Sequence, residues 1–327
     1  MKNPIIPTAF AEQSNVPSGK LSEALLAYKL DQQTGMVELD IPGEVSQILL
    51  FARGQLVNVY SANNTSDRID PNGWLELLNG SKSAAQWNNP GTLLGLRMLA
   101  LTPQDVRIFK ILIEQKCDNR GIPKSALNLE KQVESWMEHP VPALAQVRWP
   151  RAEALLLFPG LGAPPFYSLF ITGDQILHSA GGVSEIYGWV ETPIELRLFS
   201  CEPLTTAWTE YLLHYAFSNL VSNLLKKFEK LIGRIMLNQI IREVNFKATA
   251  HDWNLSINVS GVNDQIVFTS PASAAEVYSR LLEVIFHQFE GVLGNTMLEM
   301  LVREATYRLP VPARQVVNEF LPVTNLG

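Results

Sequence analysis

Glu283, His287 and Glu290 fall four and three residues apart, a spacing that would bring three metal-ligating side chains onto one helix face. Glu276 extends the acidic positions to one every seven residues, while Val277, Leu281, Val284 and Ile285 occupy the opposite face. An amphipathic helix with a solvated acidic stripe accounts for the whole set. Phe158-Pro159-Gly160-Leu161-Gly162-Ala163 places Gly-Leu-Gly after an apolar run, where a phosphate loop could stand. Pro164 and Pro165 follow and remove two backbone N–H donors that such a cradle needs, so these residues read as a rigid loop. Gly181-Gly182-Val183-Ser184-Glu185 resembles a nucleophile elbow but lacks the glycine two residues beyond the serine, and Ser184 reads as a helix N-cap. The five histidines (139, 178, 214, 251 and 287) are scattered, without an HExxH pattern or an acid paired with them in sequence. His214, beside Leu212, Tyr215 and Ala216, reads as a packed residue rather than a base. The expectation is a chain with no catalytic residues, no cofactor and no metal.

Binding chemistry is the alternative to bond chemistry. Lys226, Lys227, Lys230, Arg234 and Arg242 form a basic patch on one helical segment, interrupted by Glu229 and Glu243. A charged exterior is the first reading, and a surface for an anionic partner, a membrane or a nucleic acid, is the other. Across all 327 residues the net charge is −6, which argues against a nucleic-acid partner. Hydrophobic residues make up 46% and charged residues 18%, the balance of a globular protein. Cys117 and Cys201 are too far apart and too few for a disulfide framework, and they fit a reducing, cytoplasmic setting. No signal-peptide pattern or membrane-spanning apolar run is expected. Seven tryptophans (74, 87, 136, 149, 189, 208 and 253) read mostly as core or domain-seam residues. Trp74, Trp189 and Trp208 are also candidate anchors for a protein partner.

These side chains must be positioned by an α+β scaffold. Residues 1–18 read as a flexible arm. Leu21, Ala24, Leu25 and Tyr28 fall at helical spacing, and Thr34-Gly35 ends that helix. Residues 36–41 alternate as a half-buried strand, and 47–52 and 56–61 form a hairpin through Arg53-Gly54-Gln55. A polar stretch over 62–90 holds a short helix at 74–78. Thr102 caps a helix with Pro103 at its first position, reaching about residue 116, and a second helix covers about 124–137. Strands are expected at 153–158, 167–172 and 175–180. The hairpin at 48–62 has an echo at 167–181, either a generic likeness of two hairpins, or a pair of related β-units or one interleaved sheet. From 204 onwards the pattern is a helical bundle, with Gly233 as the weak point of its long first helix and a short strand over 255–259. Ser270 caps a helix to about 289, with Pro271 at its first position, and Asn295 caps a final one to 307. The expected organisation is an arm at 1–18, an α+β region at 19–203 and a helical domain at 204–327. Within the middle region a helical insertion covers about 101–139 and a second hairpin unit about 153–200.

The segment Gly19-Lys20-Leu21-Ser22, then Gln32-Gln33-Thr34-Gly35-Met36-Val37-Glu38-Leu39 and Ile48-Leu49-Leu50-Phe51-Ala52-Arg53-Gly54-Gln55-Leu56-Val57, resembles the PATAN domain. That domain is the N-terminal module of PatA-type response regulators, abundant in cyanobacteria, and the likeness covers roughly the first fifth of the chain. The resemblance implies a non-catalytic interaction module in signalling, tied to two-component, small-GTPase or pilus-motility pathways. PatA-type proteins usually carry a receiver domain, and its acidic cluster, phospho-acceptor Asp and strand-end Lys are not recognisable here. The expected function is therefore a cytoplasmic adaptor that binds other proteins, with self-association open. Arg53, Gly54, Gln55, Trp74, Trp189 and Trp208 are its candidate contacts. The alternative is a small-ligand sensor or enzyme using residues 158–189.

Overall fold

A computed structural model describes residues 12–43, 45–61, 72–78, 91–114, 128–160, 165, 167–172, 175–179, 184–200, 204–321 and 323. The chain divides into two compact units, Met1–Thr205 and Thr206–Gly327. Antiparallel sheets fill the first and helices dominate the second, so the α+β class holds.

Among the described residues the first unit contains two five-stranded antiparallel sheets. Strands β1 (Glu12–Pro17), β2 (Gly35–Asp40), β3 (Gln47–Ala52), β4 (Gln55–Ser61) and β5 (Leu93–Ala100) assemble in the order β1-β5-β2-β3-β4. Period-two alternation puts Val37, Leu39, Leu49, Phe51 and Val59 on one face, where Leu21, Leu25 and Tyr28 of α1 (Leu21–Leu30) and Trp74 and Leu77 of α2 (Asn72–Leu78) cover them. Met36, Glu38, Ile48, Leu50 and Tyr60 point the other way and are also buried. On that side lies α3 (Pro103–Glu114), whose Glu114 Oε1 accepts a 2.8 Å hydrogen bond from the Tyr60 hydroxyl. Burial on both faces raises the apolar content of β2 and β3 beyond simple alternation.

The second sheet takes β6 (Ala143–Arg148), β7 (Ala152–Phe158), β8 (Tyr167–Thr172), β9 (Gln175–Ser179) and β10 (Glu195–Ser200) in the order β10-β6-β7-β8-β9. Val133 and Trp136 of α4 (Leu129–Met137) and Ile186 of α5 (Ser184–Tyr187) pack on Ala145, Val147, Ala154, Leu156, Phe158 and Phe170. The helices expected as one insertion at 101–139 therefore differ in role: α3 packs on the first sheet and reaches the second through Asp105, whereas α4 packs on the second. The arm expected at 1–18 is also corrected over residues 12–18, residues 1–11 lying outside the described residues. Residues 12–17 form β1, paired along its length with β5, and a 3-10 turn at Ser18–Lys20 leads into α1. An edge strand needs only its backbone groups and one partner, so the polar run EQSNVP can supply it. Strands β5, β6 and β10 are further additions to the sequence expectation.

In the second unit α6 (Thr206–Ile232) and α7 (Arg234–Ala250) are separated by Gly233 at φ 80°, ψ 161°. A small hairpin, β11 (Leu255–Asn258) with β12 (Gly261–Asp264), leads to α8 (Pro271–Leu293), which Ser270 caps reciprocally with Ser273. Gly294, at φ 77°, ψ 159°, separates α8 from α9 (Asn295–Tyr307) and is itself the cap residue, a role expected of Asn295. Helix α10 (Val311–Phe320) follows the helix expected to be final and buries Ala313, Val316 and Val317.

The two helix–Gly–helix pairs are copies of one pattern. At a constant offset of 61 residues, Phe217/Tyr278, Ser218/Ser279, Leu220/Leu281, Phe228/Phe289, Glu229/Glu290, Gly233/Gly294, Met236/Met297, Leu237/Leu298, Arg242/Arg303 and Glu243/Glu304 match. Matched residues also touch. Phe217 stacks on Tyr278 at 13° and Phe228 on Phe289 at 12°. Two such contacts in the same register require α6 and α8 to run parallel about a local twofold axis, which puts both glycine junctions at one end of this unit. Lys227 of α6 pairs with Glu304 of α9, so α9 folds back along α6.

Candidate functional site

The hairpin turn at Arg53-Gly54-Gln55 is committed to the fold. Gly54 lies at φ 73°, donates its N–H to Gln33 O at 2.7 Å, and would place an added Cβ 2.4 Å from Lys29 O. Arg53, at φ 49°, donates its N–H to Thr34 Oγ1 at 2.9 Å. The side chains of Arg53 and Gln55 are exposed, but the turn itself is docked on the link between α1 and β2. Trp74 is buried, with its Nε1–H donating to Gln47 Oε1 at 2.8 Å. Trp208 is 0% exposed. Neither tryptophan can serve as the surface anchor expected of it.

Trp189 differs. It is half-buried in a cleft of 320 Å³ walled by Trp149, Ile186 and Tyr187 and rimmed by Glu130 and Glu191. Each wall is held from beneath. Trp149 closes the tight β6–β7 turn through its N–H to Ala152 O at 2.8 Å, and its ring meets Phe170 edge-on at 87°. Phe170 meets Trp189 at 73°, so three rings brace one another. Asn128 caps α4 by accepting from Lys131 N–H at 3.1 Å, which places Glu130 in the first turn and Glu134 one turn on. Burial, then Glu130 and Glu134, push the Tyr187 phenol above its ordinary range, so these carboxylates impose a negative field at the cleft. Beyond the mouth, Val190 is 96% exposed, with Ile194 also open to solvent. Aromatic faces beside carboxylates favour a cation and disfavour an anion. Trp189 carries the signal legible in sequence; its partners come from segments up to 60 residues away, with no spacing to link them.

Two histidines have acids after all, supplied by the fold. His178 Nδ1 lies 2.7 Å from the Tyr167 hydroxyl and 3.2 Å from Asp105 Oδ1. Asp105 Oδ2 accepts from Thr102 N–H at 2.9 Å and Thr102 Oγ1–H at 2.7 Å, completing the cap that Thr102 announces in sequence. In the second unit His214 Nδ1 lies 2.8 Å from Asp264 Oδ2, which also accepts from the Tyr278 hydroxyl. Both sets are Asp–His–Tyr, and both join elements distant in sequence: α3 to β8 and β9 in one, β12 to α6 and α8 in the other.

Glu283, His287 and Glu290 stand on the exposed side of α8. Among the described residues, no group of three or more His, Cys, Asp or Glu side chains is placed to hold a metal ion. Lys226, Lys230 and Arg234 are exposed. Among the described residues, no helix is long and apolar enough to cross a membrane. Leu161 to Pro164, Gly181 to Val183, Trp87, Cys117 and Cys201 lie outside the described residues. No family model, curated protein or solved structure matches the chain.

Proposed function

We propose that the protein is a non-enzymatic cytoplasmic signalling adaptor, PATAN-like in its N-terminal part, whose cleft at Trp149, Tyr187 and Trp189 receives a Lys or Arg side chain of a partner protein. The two-component, small-GTPase or pilus-motility setting comes from the PATAN resemblance. The observation that carries the reading is the conjunction of braced aromatic rings, Glu130 and Glu191 at the rim, and exposed Val190 and Ile194 outside it. A guanidinium or ammonium seated over an indole is attracted by the ring and by the carboxylates together. The apolar rim offers contact area to the rest of the partner.

The test is affinity capture from native lysate with the wild-type chain and with Glu130→Lys and Glu191→Lys together. Both positions are on the rim, so the variant should keep its melting temperature while specific partners are lost. An unchanged set of captured proteins would overturn the reading. A second reading, a sensor for a small amine, is favoured by the cleft volume of 320 Å³, the scale of a small-molecule site. Thermal-shift screening with amines separates the two, because a bound ligand raises the melting temperature by mass action.

A further inference from the structure

The two halves of the helical unit keep some matched positions and have diverged at others. Buried matches such as Phe228/Phe289 and Leu237/Leu298 follow from packing. Apolar matches on the surface do not. At the end of the unit where the glycine junctions lie, Leu231 (52% exposed) matches Val292 (44%), and Met236 matches Met297 at 39% each. Ile235 at 84% and Met300 at 54% extend the same patch. Gly233 and Gly294 are exposed beside it, and a Cβ at either would meet nothing within 4 Å.

The charges around this patch diverge in one direction. Lys226, Lys230 and Arg234 of the first copy correspond to His287, Gly291 and Asn295 of the second, while Lys227, opposite Gln288, is already paired with Glu304 of α9. Asn238 corresponds to Glu299, and Glu229 and Glu290 keep an acid in both copies. One half of the tip is thus basic and the other acidic around a shared apolar centre. A surface of that kind complements itself. A second molecule turned by 180° about an axis perpendicular to the local twofold sets each basic half against the partner's acidic half and apolar centre against apolar centre. An anionic membrane would meet the acidic half as well as the basic one, and so is disfavoured.

We propose that this tip is the contact through which two copies of the chain associate, basic half to acidic half. The test is sedimentation equilibrium of the full chain over a concentration series. Wild type should associate to a dimer, more weakly as salt is raised. Ile235→Asp with Met297→Asp, both solvent-exposed, should yield a monomer with unchanged far-UV circular dichroism. Lys230→Glu with Arg234→Glu should weaken self-association by at least ~10-fold. Mixing that variant with Glu290→Lys plus Glu299→Lys should restore a mixed dimer, an outcome that stands even if the aspartate variant fails to fold. A wild-type monomer at every concentration, a dimer indifferent to both charge variants, or tip-dependent binding of monomer to phosphatidylserine vesicles would each overturn the proposal. Altering Glu130 and Glu191 should leave association untouched, so loss of the cleft reading and loss of this one are distinguishable.

Discussion

Two pairs of segments in this molecule look alike, the hairpins β3–β4 and β8–β9 and the helix–Gly–helix halves around Gly233 and Gly294. They are alike in different ways. Each hairpin ends its sheet at the same position, with β4 and β9 as edge strands. The sheets close differently, since β5 inserts between β1 and β2 whereas β10 adds outside β6. The hairpins are also held differently, the first by the backbone of its turn against Gln33 and Thr34, the second by side chains through Tyr167, His178 and Asp105. In the helical halves the matched positions are the packing itself, with partners stacked across a local axis. Hairpin likeness follows from turn chemistry shared by many sheets. Likeness that extends to buried contacts between the copies is the mark of a duplication.

The largest expected effect breaks that symmetry from inside. Phe228 and Phe289 are both 0% exposed and stack on each other. Phe228→Ala and Phe289→Ala should each cost about 3–5 kcal/mol, as for other buried aromatics, and the two costs should agree. The double variant should cost less than their sum by about 0.5–3 kcal/mol, because the first truncation already removes the shared contact. Urea denaturation followed by circular dichroism measures all three. Unequal single costs, or strict additivity, would mean that the halves are alike in sequence but not in energetics.

Next in size is a contrast between glycines. Gly54→Ala meets both a positive φ and the Lys29 carbonyl 2.4 Å from the new Cβ, whereas Gly233→Ala meets a positive φ and open space. Backbone strain costs about 1–3 kcal/mol at either site, and the clash adds to it only at Gly54. Gly54→Ala should therefore lower the stability of its unit more than Gly233→Ala lowers that of the other. Comparable losses would show that the first turn can yield, and would remove the difference between the two hairpins' anchoring.

The same contrasts explain what could be read in the residues alone. Gly233 as a break, Ser270 with Pro271 as a helix start, and Thr102 with Pro103 as another are local signals, and they hold. Strand β6, Ala-Leu-Ala-Gln-Val-Arg, is almost wholly buried and shows no alternation to find, while β1 is polar because an edge strand needs little side-chain burial. The helical duplication is hidden because its identities are sparse and an intervening hairpin separates the copies. Of the cleft, only Trp189 was legible. Its composition cannot distinguish a tryptophan at a surface cleft from Trp74 or Trp208 in a core, since all three are equally apolar.

The smallest expected effect concerns the side-chain tie of the second hairpin. Burial holds the Asp105 carboxyl above its ordinary range, although the Thr102 hydrogen bonds and His178 pull it back down. A carboxyl whose folded value is raised contributes stability that is fully present below its unfolded value, near 3.9, and lost as pH rises through the folded value. Across that interval the folded state binds the extra proton, so the N-terminal unit should lose stability with rising pH by up to about 1.4 kcal/mol per unit from this group. Asp105→Asn removes the titration, and the difference between wild-type and variant stability should slope in that interval and flatten above it. Glu153, also raised by burial, contributes a slope of the same sign in both proteins and cancels in the difference. Parallel profiles would mean that the carboxylate keeps its charge at no cost, and the second hairpin would then be tied by an ordinary ion pair rather than by a buried acid under strain.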